Sequence, residues 1–211
     1  MNILLLFDSD WQSHTRVRIA DARCQHLKRV LKVKEGDQLK VGQWGGQRGL
    51  GAVLRIEEDF VDLRVTLSLP PPPRHPVTVI LALPRPKMLR RVLRTCAEFG
   101  VEQLHIIHSQ RVEKSFWQSP LLQPERIQEA LRLGMERSGD TLPPHVALHQ
   151  RFKPFIEDKL LDISRGQHIY VLHPGSAEGL GAALEAPATV LIGPEGGFIP
   201  YELELDRKSV V

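Results

Sequence analysis

Two short segments of this chain put glycine and proline where a strand should end: Gly193-Pro194-Glu195-Gly196-Gly197-Phe198 and His173-Pro174-Gly175-Ser176. Glycine and proline are ordinary punctuation for strand-to-helix turns. The same absence of bulky side chains lets a planar ligand come close to exposed backbone amides and carbonyls. The first segment has neither a Gly-Lys-Ser/Thr ending nor Gly-x-Gly-x-x-Gly spacing, which disfavours a nucleoside triphosphate and a dinucleotide. Ser176 sits in no Gly-x-Ser-x-Gly elbow, so hydrolase chemistry is disfavoured too. His173 reads either as a strand-end hydrogen bonder or as a proton carrier, and the local pattern leaves both open.

Nine histidines raise the question of a metal. His105 and His108 differ by three positions in an expected strand and point to opposite faces, whereas His145 and His149 share a face about 13 Å apart at the usual strand rise. Neither pair can chelate one ion, and no metal site is expected. Cys24 and Cys96 stand in unrelated contexts without paired spacing, which suggests no disulfide framework and fits a reducing cytoplasm.

Basic residues form two sets. Arg85, Lys87, Arg90, Arg91 and Arg94 fall in a stretch with no acidic residue, and Lys28, Arg29, Lys32 and Lys34 form a second set beside His26. Each set reads as a solvated surface or as phosphate contacts; two sets flanking one linker fit a large polyanion better than a small substrate. The formal net charge of +3 is compatible with such a partner. Charged residues at 25% and hydrophobic residues at 42% describe a chain that folds around a core. The longest aliphatic run, Val77 to Leu83, is far short of the roughly 20 residues that cross a bilayer. Ile3 to Phe7 lacks the flanks of a signal peptide, so a soluble, unexported protein is expected.

The elements that must position these residues fall into two patterns. Pro70 to Pro73 with Arg74-His75-Pro76 is a stiff, extended stretch that reads as a linker over residues 70–76. Before it, over residues 1–69, Gln38–Trp44, Arg48–Glu57 and Phe60–Leu69 have strand character. Asp21–Leu31 is the one expected helix there, with Asp21 as its N-cap, which together predict a small β-barrel or sandwich. After it, over residues 77–211, strands and helices alternate. Expected strands are Val77–Leu83, Leu104–His108, Val146–His149, Ile169–His173 and Thr189–Ile192; expected helices are Pro86–Phe99 and Pro124–Arg137, with a further helix from about Pro200. Pro86 suits a first turn and Gly100 a C-terminal cap. This is a parallel α/β domain, and such sheets take ligands at the carboxyl ends of their strands. The loops after His108, Leu172 and Ile192 are therefore the expected site.

Taken together, Gln25-His26-Leu27-Lys28-Arg29-Val30-Leu31-Lys32-Val33, Glu35-Gly36-Asp37, Leu83-Pro84, Glu98-Phe99-Gly100-Val101, Arg111, Glu136-Arg137-Ser138 and Ile192-Gly193-Pro194-Glu195-Gly196-Gly197-Phe198 resemble the ribosomal small-subunit methyltransferase E family. The matches span nearly the whole chain in order. The resemblance implies a PUA-like N-terminal β-barrel that binds RNA and a C-terminal SPOUT domain, an α/β trefoil knot that forms a homodimer. It implies S-adenosyl-L-methionine as cofactor and methylation of N3 of a uridine in 16S ribosomal RNA, as free rRNA or in the small ribosomal subunit. Its cofactor pocket corresponds to Leu172, His173, Pro174 and Gly175 with Ile192, Gly193, Pro194, Glu195, Gly196 and Gly197. Expected RNA contacts are His26, Lys28, Arg29, Lys32, Arg85, Lys87, Arg90, Arg91, Arg94 and Arg111. Two departures stand out. The family continues past the helix matching Tyr201–Leu205 into a strand, a Leu-Gly-x-Arg-Ile-Leu-Arg-x-Glu-Thr-Ala loop and a final helix that tie the knot, close the pocket and build much of the dimer interface. Arg137 also stands where many relatives have glutamine.

Methyl transfer from a sulfonium rests on in-line placement. The uridine N3 must also lose a proton, and the sequence does not choose among Arg85, Arg111, His173 and Glu195 for that task. The competing expectations are a non-catalytic RNA-binding module, which cofactor binding would exclude, and another SPOUT RNA methyltransferase with a different acceptor atom, which nucleoside analysis would separate. A small-molecule oxidoreductase is a distant third, lacking the dinucleotide fingerprint.

Overall fold

The computed structural model describes residues 2–172 and 185–209. The chain divides into two compact units, one made of Met1–Pro73 and Arg132–Pro143, the other of Arg74–Leu131 and Pro144–Val211.

In the first unit β1 (Leu4–Leu6), β2 (Trp11–Ser13), β3 (Arg16–Ile19), α1 (Ala22–Arg29), β4 (Gln38–Gln43), β5 (Arg48–Ile56) and β6 (Val61–Leu69) follow in order. They build a six-stranded half-barrel sheet in the order β1-β4-β5-β6-β3-β2. All pairings are antiparallel except β1 with β4. Alternation along the strands sends Val17, Ile19, Val41, Val53, Leu63 and Val65 to one face, where Cys24 and Leu27 of α1 complete a core. Asp21 caps α1 by accepting the backbone N–H of Arg23, as the sequence predicts. The Arg23 guanidinium is buried and donates to Asp10, Asp21 and the Leu5 carbonyl. The three-residue strands β1, β2 and the short β3 were not anticipated; short segments carry too little period-2 pattern to stand out.

In the second unit β7 (His75–Ala82), α2 (Pro86–Glu98), β8 (Val101–Ile107), α3 (Pro124–Ser138, whose last turns belong to the first unit) and β9 (His145–His149) are followed by α4 (Phe152–Phe155). The chain continues through a π-helical stretch, Ile156–Leu160, into α5 (Leu161–Ile163), then β10 (His168–Leu172), β11 (Ala188–Ile192) and α6 (Pro200–Ser209). The five strands are all parallel in the order β10-β11-β7-β8-β9. β8 and β9 extend the sheet to one side of β7, and β11 and β10 to the other. That reversal is the kind of switch point at which open α/β sheets take ligands. Strands buried on both faces read as unbroken apolar runs, which is why Val79 to Leu83 and Val190-Leu191 were legible. In α2 Pro86 occupies the first turn, and Gly100, at φ +63°, ends it.

Candidate functional site

The sheet register brings together the ends of the two strands that lead into the expected loops. Leu172 and Ile192 are direct partners at the ends of β10 and β11, and Ile192 is paired on its other side with Leu81 of β7. Both Leu172 and Ile192 are only half-buried, although Val190 and Leu191 immediately before are buried. The carboxyl edge of the sheet therefore exposes an apolar ledge. His173, Pro174 and Gly175 lie outside the described residues.

The loop leaving β11 is a tight turn: the Gly197 N–H donates to the Pro194 carbonyl at 2.7 Å, and Gly197 has φ +73°. Glycine is required there because other residues pay for a left-handed backbone. Gly193 has a packing reason instead, since a Cβ would come within 3.1 Å of the Phe198 backbone nitrogen and 3.2 Å of its ring. Phe198 is buried and its ring lies 6.1 Å from that of Phe152 at the start of α4. The aromatic anchor under the turn leaves Glu195 and Gly196 exposed above it.

Three neighbours fix the loop. Arg85, the residue preceding α2, donates through Nε and Nη2 to Oε1 of Glu195 at 3.0 and 2.7 Å. Arg111, in the loop after β8, donates through Nη1 to the Gly196 carbonyl, and its aliphatic stem lies where a Gly196 Cβ would crowd it. Glu202, buried in the first turn of α6, accepts the Gln110 N–H at 2.8 Å and the Ile199 N–H at 3.0 Å. Glu202 was not among the expected residues. Its signal was a glutamate three positions after a helix cap, the second half of a capping box. Ser109, next to Gln110, has a fully buried hydroxyl with no partner among the described residues.

The expected RNA contacts divide. Lys87, Arg90, Arg91 and Arg94 are exposed along α2 with no ionic partner among the described residues. In the first unit Arg29 and Lys32 are exposed, but the Lys28 ammonium is spent on the carbonyls of Glu57 and Glu58, each at 2.8 Å. His26 is half-buried, and its Nε2 has no partner among the described residues.

The histidines hold a contact that strand periodicity alone missed. His105 Nδ1 lies 3.0 Å from His149 Nε2 across β8 and β9, and its Nε2 lies 3.2 Å from Gln103 Oε1. Burial, reinforced by His149 and His145, pushes His105 down to about 4, and burial also lowers His149. No cluster able to hold a metal occurs among the described residues. Among them, too, no helix is long and apolar enough to cross a membrane.

A parallel α/β sheet with an apolar ledge and a glycine turn at its carboxyl edge places this domain in the class of open α/β sheets, whose ligand sites lie at the strand ends. The chain belongs to the RNA methyltransferase domain family, which it matches over residues 70–210. Ribosomal RNA small subunit methyltransferase E of Treponema pallidum is 28% identical over 209 residues, covering 96% of this chain and 78% of that protein. Ribosomal RNA small subunit methyltransferase E 1 of Borreliella burgdorferi is 21% identical, covering 97% and 85%. The crystal structure of the corresponding enzyme of Neisseria gonorrhoeae bound to S-adenosyl methionine superposes with a TM-score of 0.76 at 18% identity, covering 100% of this chain and 86% of that one. A methyltransferase of Legionella pneumophila in complex with the same cofactor gives a TM-score of 0.76 at 18% identity, with 99% and 86% covered. These likenesses establish the shared fold.

Proposed function

We propose that this chain transfers the methyl group of S-adenosyl-L-methionine to N3 of a uridine in 16S ribosomal RNA, with residues 1–69 as a PUA-like RNA-binding domain and residues 77–211 as a SPOUT methyltransferase domain that works as a knotted homodimer. The observation that carries the reading is the pairing of Leu172 with Ile192 at the sheet's carboxyl edge beside the Pro194–Gly197 turn. It is supported by the family match and by the cofactor seen in proteins of the same fold.

The residues present fit such a cofactor. Leu172 and Ile192 offer an apolar shelf, the turn offers backbone free of side chains at Gly196, and the Ser109 hydroxyl is a buried polar group lacking a partner among the described residues. The bound cofactor would supply an electrophilic methyl carbon on a sulfonium, and no metal is needed for that transfer. The remaining task is the proton on N3. Glu195 would accept it: Arg85 occupies only Oε1, and Oε2 has no partner among the described residues. Arg85 and Arg111 put two guanidinium groups at the same edge, which favours the anionic form of the base. The exposed arginines of α2 would meet the phosphate backbone.

Isothermal titration with S-adenosylmethionine, followed by nucleoside mass spectrometry of small ribosomal subunits incubated with the protein and cofactor, tests the reading. Saturable binding and 3-methyluridine are expected. Methylation at another atom would move the chain to a different acceptor chemistry, and no cofactor binding would leave an RNA-binding protein.

A further inference from the structure

The first unit carries a second basic surface that neither the helix α1 set nor the α2 face includes. Strand alternation that sends Val41, Val53, Leu63 and Val65 into the core sends Lys40, Leu50, Arg64 and Thr66 to the opposite face. The register aligns them in rungs: Lys40, Leu50 and Thr66 lie side by side, and Ala52, Arg64 and Arg16 lie side by side in the next row. Successive rungs are about 6.6 Å apart. Lys40 and Arg64 are exposed, with no ionic partner among the described residues.

The rung beyond Arg64 holds the carboxylate on this stretch of the face, Asp62. It is buried beneath Arg18, which donates to both its oxygens at 2.8 and 3.0 Å, while Arg16 reaches it at 3.5 Å. The hydrogen bonds from Arg18 hold Asp62 below the ordinary carboxylate range, so it stays ionised and neutralised. The Phe60 ring lies under the Arg18 guanidinium at 3.8 Å, presenting a planar cation stacked on an aromatic. Lys40 and Arg48, with Leu50, Leu69, Asn2 and Ser138, are among the residues lining an open cavity of about 720 Å³. Leu50 and Leu69 are 50% and 55% exposed.

We propose that this outward face of the first unit's sheet is a binding surface for single-stranded RNA. Lys40, Arg48, Arg64 and Arg16 would contact successive phosphates, and a base would lodge against Leu50 and Leu69. Cations in rungs with one neutralised carboxylate complement a polyanion, and an open cavity lined by both leucines and cations suits an unstacked base with its phosphate rather than a rigid duplex. The assignment rests on the reading of the chain as an enzyme acting on ribosomal RNA. It places the contact on the face opposite the core that α1 covers, away from Arg29 and Lys32.

The test is fluorescence anisotropy of a labelled oligouridine RNA against the full chain, as a function of salt. It compares Lys40→Gln/Arg64→Gln with Lys153→Gln/Arg165→Gln, which removes two exposed cations of the second unit, with circular dichroism confirming that each variant is folded. The outer-face variant is expected to bind roughly tenfold more weakly and to lower the salt slope by about 1.4, as two lost contacts to a single strand do at about 0.7 each. The second-unit variant should bind as the parent does. Unchanged affinity in the outer-face variant overturns the proposal; so do equal losses in both variants, which would mean a diffuse field, and binding of phosphatidylserine vesicles in place of RNA. Titration of the same samples with S-adenosylmethionine keeps the two readings apart. Cofactor binding with RNA affinity insensitive to Lys40 and Arg64 sinks this surface alone, and lost cofactor binding with the expected RNA losses sinks only the enzymatic reading.

Discussion

The carboxylate of Glu202 joins two loops: one oxygen accepts the backbone N–H of Gln110 after β8, and the other accepts that of Ile199 at the start of α6. Gln110 is the immediate neighbour of Arg111, whose guanidinium holds the Gly196 carbonyl. One buried group thus sets the position of the arginine and closes the cap of the helix behind the glycine turn. Replacing Glu202 by alanine leaves both N–H groups without their acceptor and should cost about 2–4 kcal/mol. Glu202→Gln keeps one acceptor oxygen and should cost about 1–2 kcal/mol. Urea unfolding measures both. Equal stability of Glu202→Ala and the parent protein would mean that water replaces the carboxylate and that the loops are held by Phe198 alone.

The Arg85–Glu195 pair is a different kind of contact. Its side chains are 64% and 68% exposed, so solvent screens it, and its loss should change stability by less than about 1 kcal/mol. If Glu195 takes the uridine proton, Glu195→Gln should nonetheless slow methyl transfer by roughly 10²-fold or more. That split between stability and rate is the diagnostic. A variant that keeps its rate removes Glu195 from the chemistry, and one that loses stability and rate together makes the residue a structural prop.

Protonation should weaken the second unit at mildly acidic pH. His105 is neutral in the fold, its value pushed down to about 4, chiefly by burial, against 6.5 for an unburied histidine. The unfolded chain therefore binds more protons over that interval, and stability falls as pH drops from 6.5 toward 4. His149, also lowered by burial, adds to the same slope. His105→Phe, of similar shape beside Phe155, should flatten the dependence without abolishing it. Urea midpoints across this interval provide the comparison, and an identical slope in the variant would place the titrating group elsewhere.

How much of this was legible depended on the range of the interaction. The helix from Pro86 to Gly100 and the buried runs of β7 and β11 announce themselves because propensity, capping and period are local. The glycine turn was visible as a turn, and its place at the strand ends followed from parallel-sheet geometry. The His105–His149 contact was not, because it depends on the β8–β9 register, which pairs His105 with Ala147 and Ile107 with His149. Lys28 looked like a phosphate ligand until the fold placed the Glu57 and Glu58 carbonyls beside it. The outer-face rungs of Lys40 and Arg64 were hidden for the same reason, since residues 24 positions apart share a face only once β4, β5 and β6 pair.

Arg23 supplies the largest expected effect in the first unit. Its guanidinium is 6% exposed and engages Asp10 through two hydrogen bonds, at 2.8 and 2.7 Å, and the Leu5 carbonyl at 2.6 Å. Arg23→Met leaves Asp10 buried without its counter-charge and should cost about 3–5 kcal/mol. The apolar pair Arg23→Met/Asp10→Leu removes the orphaned charge and should recover much of the loss. Recovery should stop short of completion, because Asp10 Oδ2 also accepts the Phe7 N–H at 2.8 Å and leucine cannot. Chemical denaturation of the parent and the two variants decides between causes: a double variant no more stable than the single one would assign the single variant's loss to the missing hydrogen bonds from Arg23 to Leu5 and Asp21, not to an unpaired buried carboxylate.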